Sequence, residues 1–202
     1  YSNHYRRLAS EVGPADKILR IVATCMVPFS GRREILLLGA AGQYINTAGE
    51  ILCLAGMSSG LHVTQKNDYP ITVLRGHSVS EVVFDIIPVG YTGITNPSAL
   101  LCLAPEGIAR RKDIFKTLQP DTLVIKDSEI IVPETLAKVV EVDFSGLKVK
   151  NPMRALAALA VLAGEGTLLT TEMLEVGIFH RYHGRMYDEA MAVAARLVGR
   201  IR

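Results

Sequence analysis

The sequence predicts an α/β fold, a layered domain in which a largely parallel sheet is flanked by helices. Three observations carry that prediction. Short apolar runs of strand length alternate with stretches of helical period, the pattern of crossover units that lay helices on a parallel sheet. The first apolar run ends in a glycine turn that opens directly into a helix. With 202 residues, 49% of them apolar, the chain has material for a large core and little tendency to disorder.

Residues 1–31 read as an N-terminal arm or linker: a charged helical start, then Gly13-Pro14, a short apolar piece and Pro28. The domain occupies 32–202, the fold proper starting at Arg33. Ile35–Leu38 is a buried strand by length and flanks. Gln43–Met57 is a helix whose inner face carries Ile45, Ala48, Gly49, Leu52 and Gly56, small enough in places to sit close on a sheet. Leu61–Gln65 is the next strand. Ser78–Ile86 alternates and is rich in valine, so it is a strand too. Leu100–Leu103 is a short strand, Gly107–Leu118 a helix stopped by Pro120, and Thr122–Lys126 and Lys138–Asp143 are strands. Asn151-Pro152 opens a helix, PMRALAALAVLAG, apolar nearly all round and therefore buried in the domain or in an interface. Thr170-Thr171-Glu172 starts a further helix by its capping chemistry. From Met186 to Arg202, Tyr187, Ala190, Met191, Ala194, Leu197, Val198 and Ile201 recur at helical steps, the stripe of an amphipathic helix.

Charge and composition exclude several function classes. The formal net charge is +2 and no basic block stands out, so no nucleic-acid footprint is present. The apolar runs fall far short of the ~20 residues that a membrane span needs. The chain opens on Tyr1 without a signal-peptide pattern and is expected to begin inside a longer polypeptide or after processing. Cys25, Cys53 and Cys102 are too scattered for a cluster or zinc site and read as buried thiols of a reducing, cytoplasmic protein. His180 and His183 would reach one metal only on a continuous helix, and RYHGR reads as a helix end, so no metal ligand is assigned. There is no G-x-S-x-G, no phosphate-binding lysine loop and no H-E-x-x-H, and no catalytic residue is assigned.

The glycine turn, Gly39-Ala40-Ala41-Gly42, fits a dinucleotide poorly. In a G-x-G-x-x-G turn the second glycine lets the backbone approach a pyrophosphate and the third lets the helix pack on the strand. Here Ala41 and Tyr44 hold those positions. The second strand ends in Gln65 and Lys66 rather than an acid, with Asp68 two residues late. The turn and helix N-terminus would still suit a lone anion.

The ordered set of motifs resembles the gamma subunit, or gamma domain, of the 2-oxoacid:ferredoxin (acceptor) oxidoreductases, a Rossmann-like fold. That family's turn reads G-x-G-G-Q-G, followed by a helix with A-G-x-x-L. Gly39, Gly42 and Gln43 match it, as do Ala48-Gly49 and Leu52, while Ala41 and Tyr44 depart. A second family segment, Tyr-Gly-Pro-Glu-x-Arg-Gly-Gly, is similar to NDYPITVLRGH, where Tyr69, Pro70, Arg75 and Gly76 match in type and His77 replaces the last glycine. ALLCLAPEGI, DTLVIKDSEII, VEVDF and the helices NPMRALAALAVLAG and LTTEMLEVGIFHRY follow in the family's order. The resemblance runs from Arg33 to Gly199, and YSNHYRRLASE is similar to the end of a fused beta-type partner.

The resemblance implies a subunit rather than a complete enzyme. The family cleaves a 2-oxoacid on thiamine diphosphate, releases carbon dioxide, passes electrons through 4Fe-4S clusters to ferredoxin or a similar acceptor, and hands the acyl group to coenzyme A as co-substrate. Thiamine diphosphate, magnesium and the clusters belong to partners: alpha and beta subunits and a ferredoxin-like module. This chain is expected to bind none of them alone, to brace a hetero-oligomer and to line the coenzyme A side. The residues implied in ligand or interface contact are Gly39, Gly42, Gln43, Asp68, Tyr69, Arg75 and Gly76. Two other readings stay open: a free-standing NAD(P)-binding reductase and a purely structural assembly module.

Overall fold

A computed structural model describes residues 25–70 and 76–198. Six strands form one sheet: β1 (Arg33–Ala40), β2 (His62–Asp68), β3 (His77–Asp85), β4 (Ala99–Cys102), β5 (Leu123–Asp127) and β6 (Lys138–Val142). Their order is β2-β3-β1-β4-β5-β6. The β1–β4, β4–β5 and β5–β6 pairs are parallel, while β3 runs antiparallel to both β1 and β2. The sheet is thus mixed and mostly parallel. β2 still points the same way as β1, because two antiparallel steps separate them.

Among the described residues there are five α-helices: α1 (Ile45–Ser58), α2 (Pro105–Arg110), α3 (Arg154–Glu165), α4 (Thr171–Arg181) and α5 (Gly184–Val198); the first three lie against the sheet, and α4 and α5 pack mainly on α1 and α3. Among the described residues no helix is long and apolar enough to cross a membrane. Alternation along β1 divides the core. Ile35 and Leu37 join the larger cluster with residues of α1, α3, α4 and α5, whereas Leu36 and Leu38 join a smaller one with Ile108, Phe115 and Leu118.

Two elements differ from the expectation. The helix expected over 107–118 breaks into α2 and a 3-10 segment, Lys112–Thr117. Phe115 and Leu118 are both buried, and tighter winding brings residues three apart onto one face. The apolar helix α3 lies inside the domain: Ala155 through Ala163 are all buried within this chain. Its composition therefore reflects the domain core, and an unpartnered interface is no longer needed to explain it.

Small residues set the spacing of the layers. A Cβ on Gly56 would meet Val63 Cγ2 at 2.7 Å and Phe84 Cε1 at 2.9 Å, so α1 lies directly on β2 and β3. A Cβ on Gly177 would meet the Ile51 carbonyl at 2.5 Å, so α4 lies as closely on α1. Of the expected arm, residues 1–24 lie outside the described residues. Cys25, Val27 and Phe29 pack against the larger cluster, Phe29 stacking on Phe84 at 6.2 Å with the Arg33 guanidinium over the Phe29 ring at 5.6 Å.

Candidate functional site

The fold brings together two segments that are distant in sequence. The glycine turn follows β1, and the segment from Asp68 to Gly76 joins β2 to β3. Ala40 pairs with His77 in the ladder, and Ala41 N donates to Gly76 O at 3.0 Å. Gly39, Gly42, Gln43, Asp68 and Gly76 therefore share the C-terminal edge of β1. Tyr69 stands exposed beside them, and Arg75 lies outside the described residues.

The turn is closed from within. Gln43 is buried; its Oε1 accepts from Ala40 N at 2.9 Å, and its Nε2 donates to Leu103 O at 3.1 Å and to Asn151 Oδ1 at 2.9 Å. One amide thus ties the end of β1, the end of β4 and the entry to α3. With Gln43 N donating to Ala40 O at 3.2 Å, the N–H groups of Ala40, Ala41 and Gln43 all have partners inside the chain. A phosphate-holding turn needs such groups free. Gly42 sits at φ +85°, a conformation natural to glycine, and Tyr44 takes the same left-handed region at φ 54° as the residue preceding α1. No side chain caps that helix end.

Asp68 anchors the base of the β2–β3 connection. Its Oδ2 accepts from Arg110 Nε at 2.7 Å, and its Oδ1 lies 3.3 Å from His77 Nε2. The Arg110 hydrogen bond holds the Asp68 carboxyl below its ordinary value, against partial desolvation and with help from His77. Lys66, Asn67, Asp68, Arg110 and Arg111 line a groove of about 440 Å3. Lys66 faces this α2 side, with Arg111 paired to the buried carboxylate of Glu81, its ladder neighbour.

Two further polar clusters had no motif to announce them. At the C-terminal end of β5, Asp127 is fully buried and accepts from Arg154 Nη1 at 2.5 Å, while Arg154 Nη2 donates to Ser145 Oγ at 2.8 Å. At the opposite end of the sheet, Glu34 is buried. It accepts from Thr95 N at 2.7 Å, Asn96 N at 2.8 Å and Arg32 Nε at 2.7 Å, and Arg32 also donates to the carbonyls of Tyr91 and Gly93. The visible signal was an acid flanking an apolar strand run, Glu34 before ILLL and Asp127 after LVIK.

The family model for pyruvate ferredoxin/flavodoxin oxidoreductase matches residues 34–198 of the chain. The chain belongs to that family. No curated protein matches the sequence. Among solved structures it is similar to the gamma subunit of a keto/oxoacid ferredoxin oxidoreductase from Geobacter sulfurreducens, at 21% identity and a TM-score of 0.67, over 84% of this chain and 97% of that one. It is similar to a pyruvate oxidoreductase subunit from Thermotoga maritima at 17% identity and a TM-score of 0.65, over 84% of this chain and 96% of that one. It is also similar to 2-oxoglutarate:ferredoxin oxidoreductase from Magnetococcus marinus, a structure with 2-oxoglutarate, coenzyme A and succinyl-CoA bound. That likeness has 16% identity and a TM-score of 0.64, over 84% of this chain and 32% of the longer one. At these identities the likeness establishes a shared layered fold.

Within this member of the pyruvate ferredoxin/flavodoxin oxidoreductase family, Cys102 is buried as expected, whereas Cys25 and Cys53 are only part-buried, packed at the margin of the larger cluster. Burial pushes Cys53 up to about 12 and raises Cys102 as well, so neither is a thiolate at neutral pH. Among the described residues no group of three or more His, Cys, Asp or Glu side chains is placed to hold a metal ion. His180 ends in α4 and His183 lies between α4 and α5, in keeping with a helix end at RYHGR.

Proposed function

We propose that this chain is the gamma-type component of a thiamine-diphosphate-dependent 2-oxoacid:acceptor oxidoreductase. The complex converts a 2-oxoacid and coenzyme A into acyl-coenzyme A and carbon dioxide and passes the electrons to ferredoxin or a similar acceptor. In this reading the chain carries no reacting group. It braces the alpha and beta subunits and the ferredoxin-like module, which hold thiamine diphosphate, magnesium and the 4Fe-4S clusters, and it contributes a wall on the coenzyme A side. The observation that carries the reading is the closed turn in a chain of this family. Gln43 and Gly76 occupy the N–H groups that a free-standing NAD(P)-binding reductase would turn toward a pyrophosphate.

The surface at the β2–β3 connection supports the same reading. Tyr69 is exposed, and of the connection's two ends Asp68 is paired with Arg110 while the Gly76 carbonyl accepts from Ala41 N. In the proposal this segment faces a partner, and Arg75 offers a guanidinium fork to a carboxylate or phosphate there. The test is purification of the native assembly through a tag on this chain, followed by identification of its partners and measurement of oxoacid-dependent acceptor reduction. Alpha- and beta-type chains should co-purify. Arg75→Ala should lower assembly yield or raise KM for coenzyme A, with Arg75→Lys restoring part of the loss. A chain that binds NAD(H) or NADP(H) at low micromolar Kd, ~8 kcal/mol of binding, and recovers no such partners would refute the proposal.

A further inference from the structure

The two edges of the sheet are unlike. The β2 edge reads HVTQKND, the polar and charged residues with which natural proteins blunt an open edge. The β6 edge reads KVVEV and, among the described residues, pairs only with β5. Lys138 N donates to Thr122 O and Val142 O accepts from Ser128 N, each at 2.9 Å. Residues 138, 140 and 142 therefore turn their backbone groups toward β5, and by alternation Val139 and Glu141 turn theirs outward. Apolar surface flanks this open ladder on both sides. Val139 is 39% exposed, and Ile131 and Leu136, in the segment that leads into the strand, are 90% and 77% exposed. On the helix side a groove of about 410 Å3 is lined by Val142, Leu147, Val161 and Leu197, together with Glu141 and Asp143. Glu141 already has Lys126 at 3.2 Å, whereas the Asp143 carboxylate, among the described residues, only accepts from Gly146 N.

We propose that an extended segment of a partner chain adds to the free edge of β6, placing an apolar side chain in the groove and a lysine or arginine over Asp143. Strand addition gains affinity from main-chain bonds and specificity from pockets for alternate side chains, and β6 offers both. An open edge flanked by exposed Val139, Ile131 and Leu136 is otherwise a liability for association, one that Lys138 and Glu141 only partly blunt. Charge selects the occupant. A second copy would bring its own Glu141 and Asp143, and a Lys138 already held by Glu165 at 2.8 Å. A basic segment of a different chain complements the acid.

The inference rests on the reading of this chain as a subunit, and one experiment separates the two. Hydrogen exchange at the amides of Val139 and Glu141 is measured in the isolated chain and in the assembly purified from native cells. Both amides should exchange at least about tenfold more slowly in the assembly. Val139→Pro removes an outward N–H without touching the β5 ladder, so the isolated chain should unfold as wild type does. In the assembly it should weaken association by about tenfold or more. Asp143→Lys tests the charge independently and carries the question if the proline variant fails to fold. It should weaken association, and Asp143→Asn should do so less. An assembly that contains the oxidoreductase partners but leaves both amides unprotected overturns the strand addition and spares the subunit reading, as does wild-type assembly by both Val139→Pro and Asp143→Lys. A chain that recovers no partner, or only copies of itself, overturns both.

Discussion

The two ends of the parallel strands are closed by different chemistry. At their C-terminal ends, a neutral amide, Gln43, bridges β1, β4 and the approach to α3, and the Asp127–Arg154 pair fixes α3 to β5. At their N-terminal ends, the Glu34 carboxylate and Arg32 strap down the 91–96 loop but leave a hollow of about 310 Å3 beside Arg33, Ser98, Asp121 and Thr167. Open α/β sheets ordinarily take ligands at the C-terminal ends. In this chain the ends of β1, β4 and β5 are packed and internally bonded there, and the grooves at that end lie at the outer strands, beside Asp68 of β2 and beside Asp143 after β6. The Rossmann-like fold thus keeps its layers while the turn after β1 is tied to Gly76, to the end of β4 and to the entry to α3.

The largest effect is expected where charge is most deeply buried. Arg154→Ala leaves Asp127, with no exposure at all, without its cation. Breaking a buried pair in this way costs about 3–5 kcal/mol, read as a shift of the denaturant midpoint at unchanged slope. Arg154→Lys should regain only part, because the fork also reaches Ser145. A wild-type unfolding curve for Arg154→Ala would show that the C-terminal end is not held by this pair.

Glu34→Ala comes next, at the opposite end. It strands the N–H groups of Thr95 and Asn96 and leaves Arg32 only its two carbonyl acceptors; we expect a loss of about 2–3 kcal/mol. Hydrogen exchange should speed up in the 91–98 loop before it does in β1. Uniform acceleration across the sheet would mean that Glu34 serves the whole core rather than the loop.

Gln43→Ala sharpens the comparison most directly. A clamp that is neutral and makes three bonds should lose about 1–2 kcal/mol when truncated. A ligand contact would leave the isolated chain's stability unchanged and alter only the activity of the assembly. The freed Ala40 N–H should also exchange faster, since Gln43 Oε1 is its acceptor.

The smallest effect concerns acid. The Asp68 carboxyl is held below its ordinary value of 3.8 chiefly by the Arg110 hydrogen bond. A depressed carboxylate contributes stability that is fully present above its unfolded value and is lost as pH falls through the lower folded one. Arg110→Ala should therefore reduce stability at neutral pH and flatten its decline below about pH 4. Both groups are partly exposed, 28% for Asp68 and 52% for Arg110, so the change is small and screened by salt. Identical acid profiles for variant and wild type would remove Arg110 as the anchor of the β2–β3 connection.

Much of the layering was legible in the sequence because burial leaves a periodic trace. The runs at Ile35–Leu38, Leu100–Leu103 and Thr122–Lys126 all became buried strands, and Thr170 caps α4 by accepting from Met173 N at 3.1 Å. Strand order was not legible. The insertion of β3 between β2 and β1 depends on pairings between distant segments that alternation alone does not encode. The apolar helix was legible as buried but not as to where, since Ala155–Ala163 would look the same beneath α5 or beneath another chain. The turn's glycines were visible at once. The fate of its N–H groups was not, because the acceptors come from a side chain three residues along and from the carbonyl of Gly76.

The glycines between the sheet, α1 and α4 have a consequence for whatever docks on this surface. With backbone meeting side chain at Gly56 and backbone meeting backbone at Gly177, the stack has no compressible filling. It acts as a shim of fixed thickness. The aromatic end of α4, where Phe179 is exposed and meets Tyr187 edge-on at 6.1 Å, is held at a height above the sheet that no rotamer change can adjust. Adding a single methyl at Gly177 would meet the Ile51 carbonyl at 2.5 Å, so α4 must lift off α1 or the chain must lose stability.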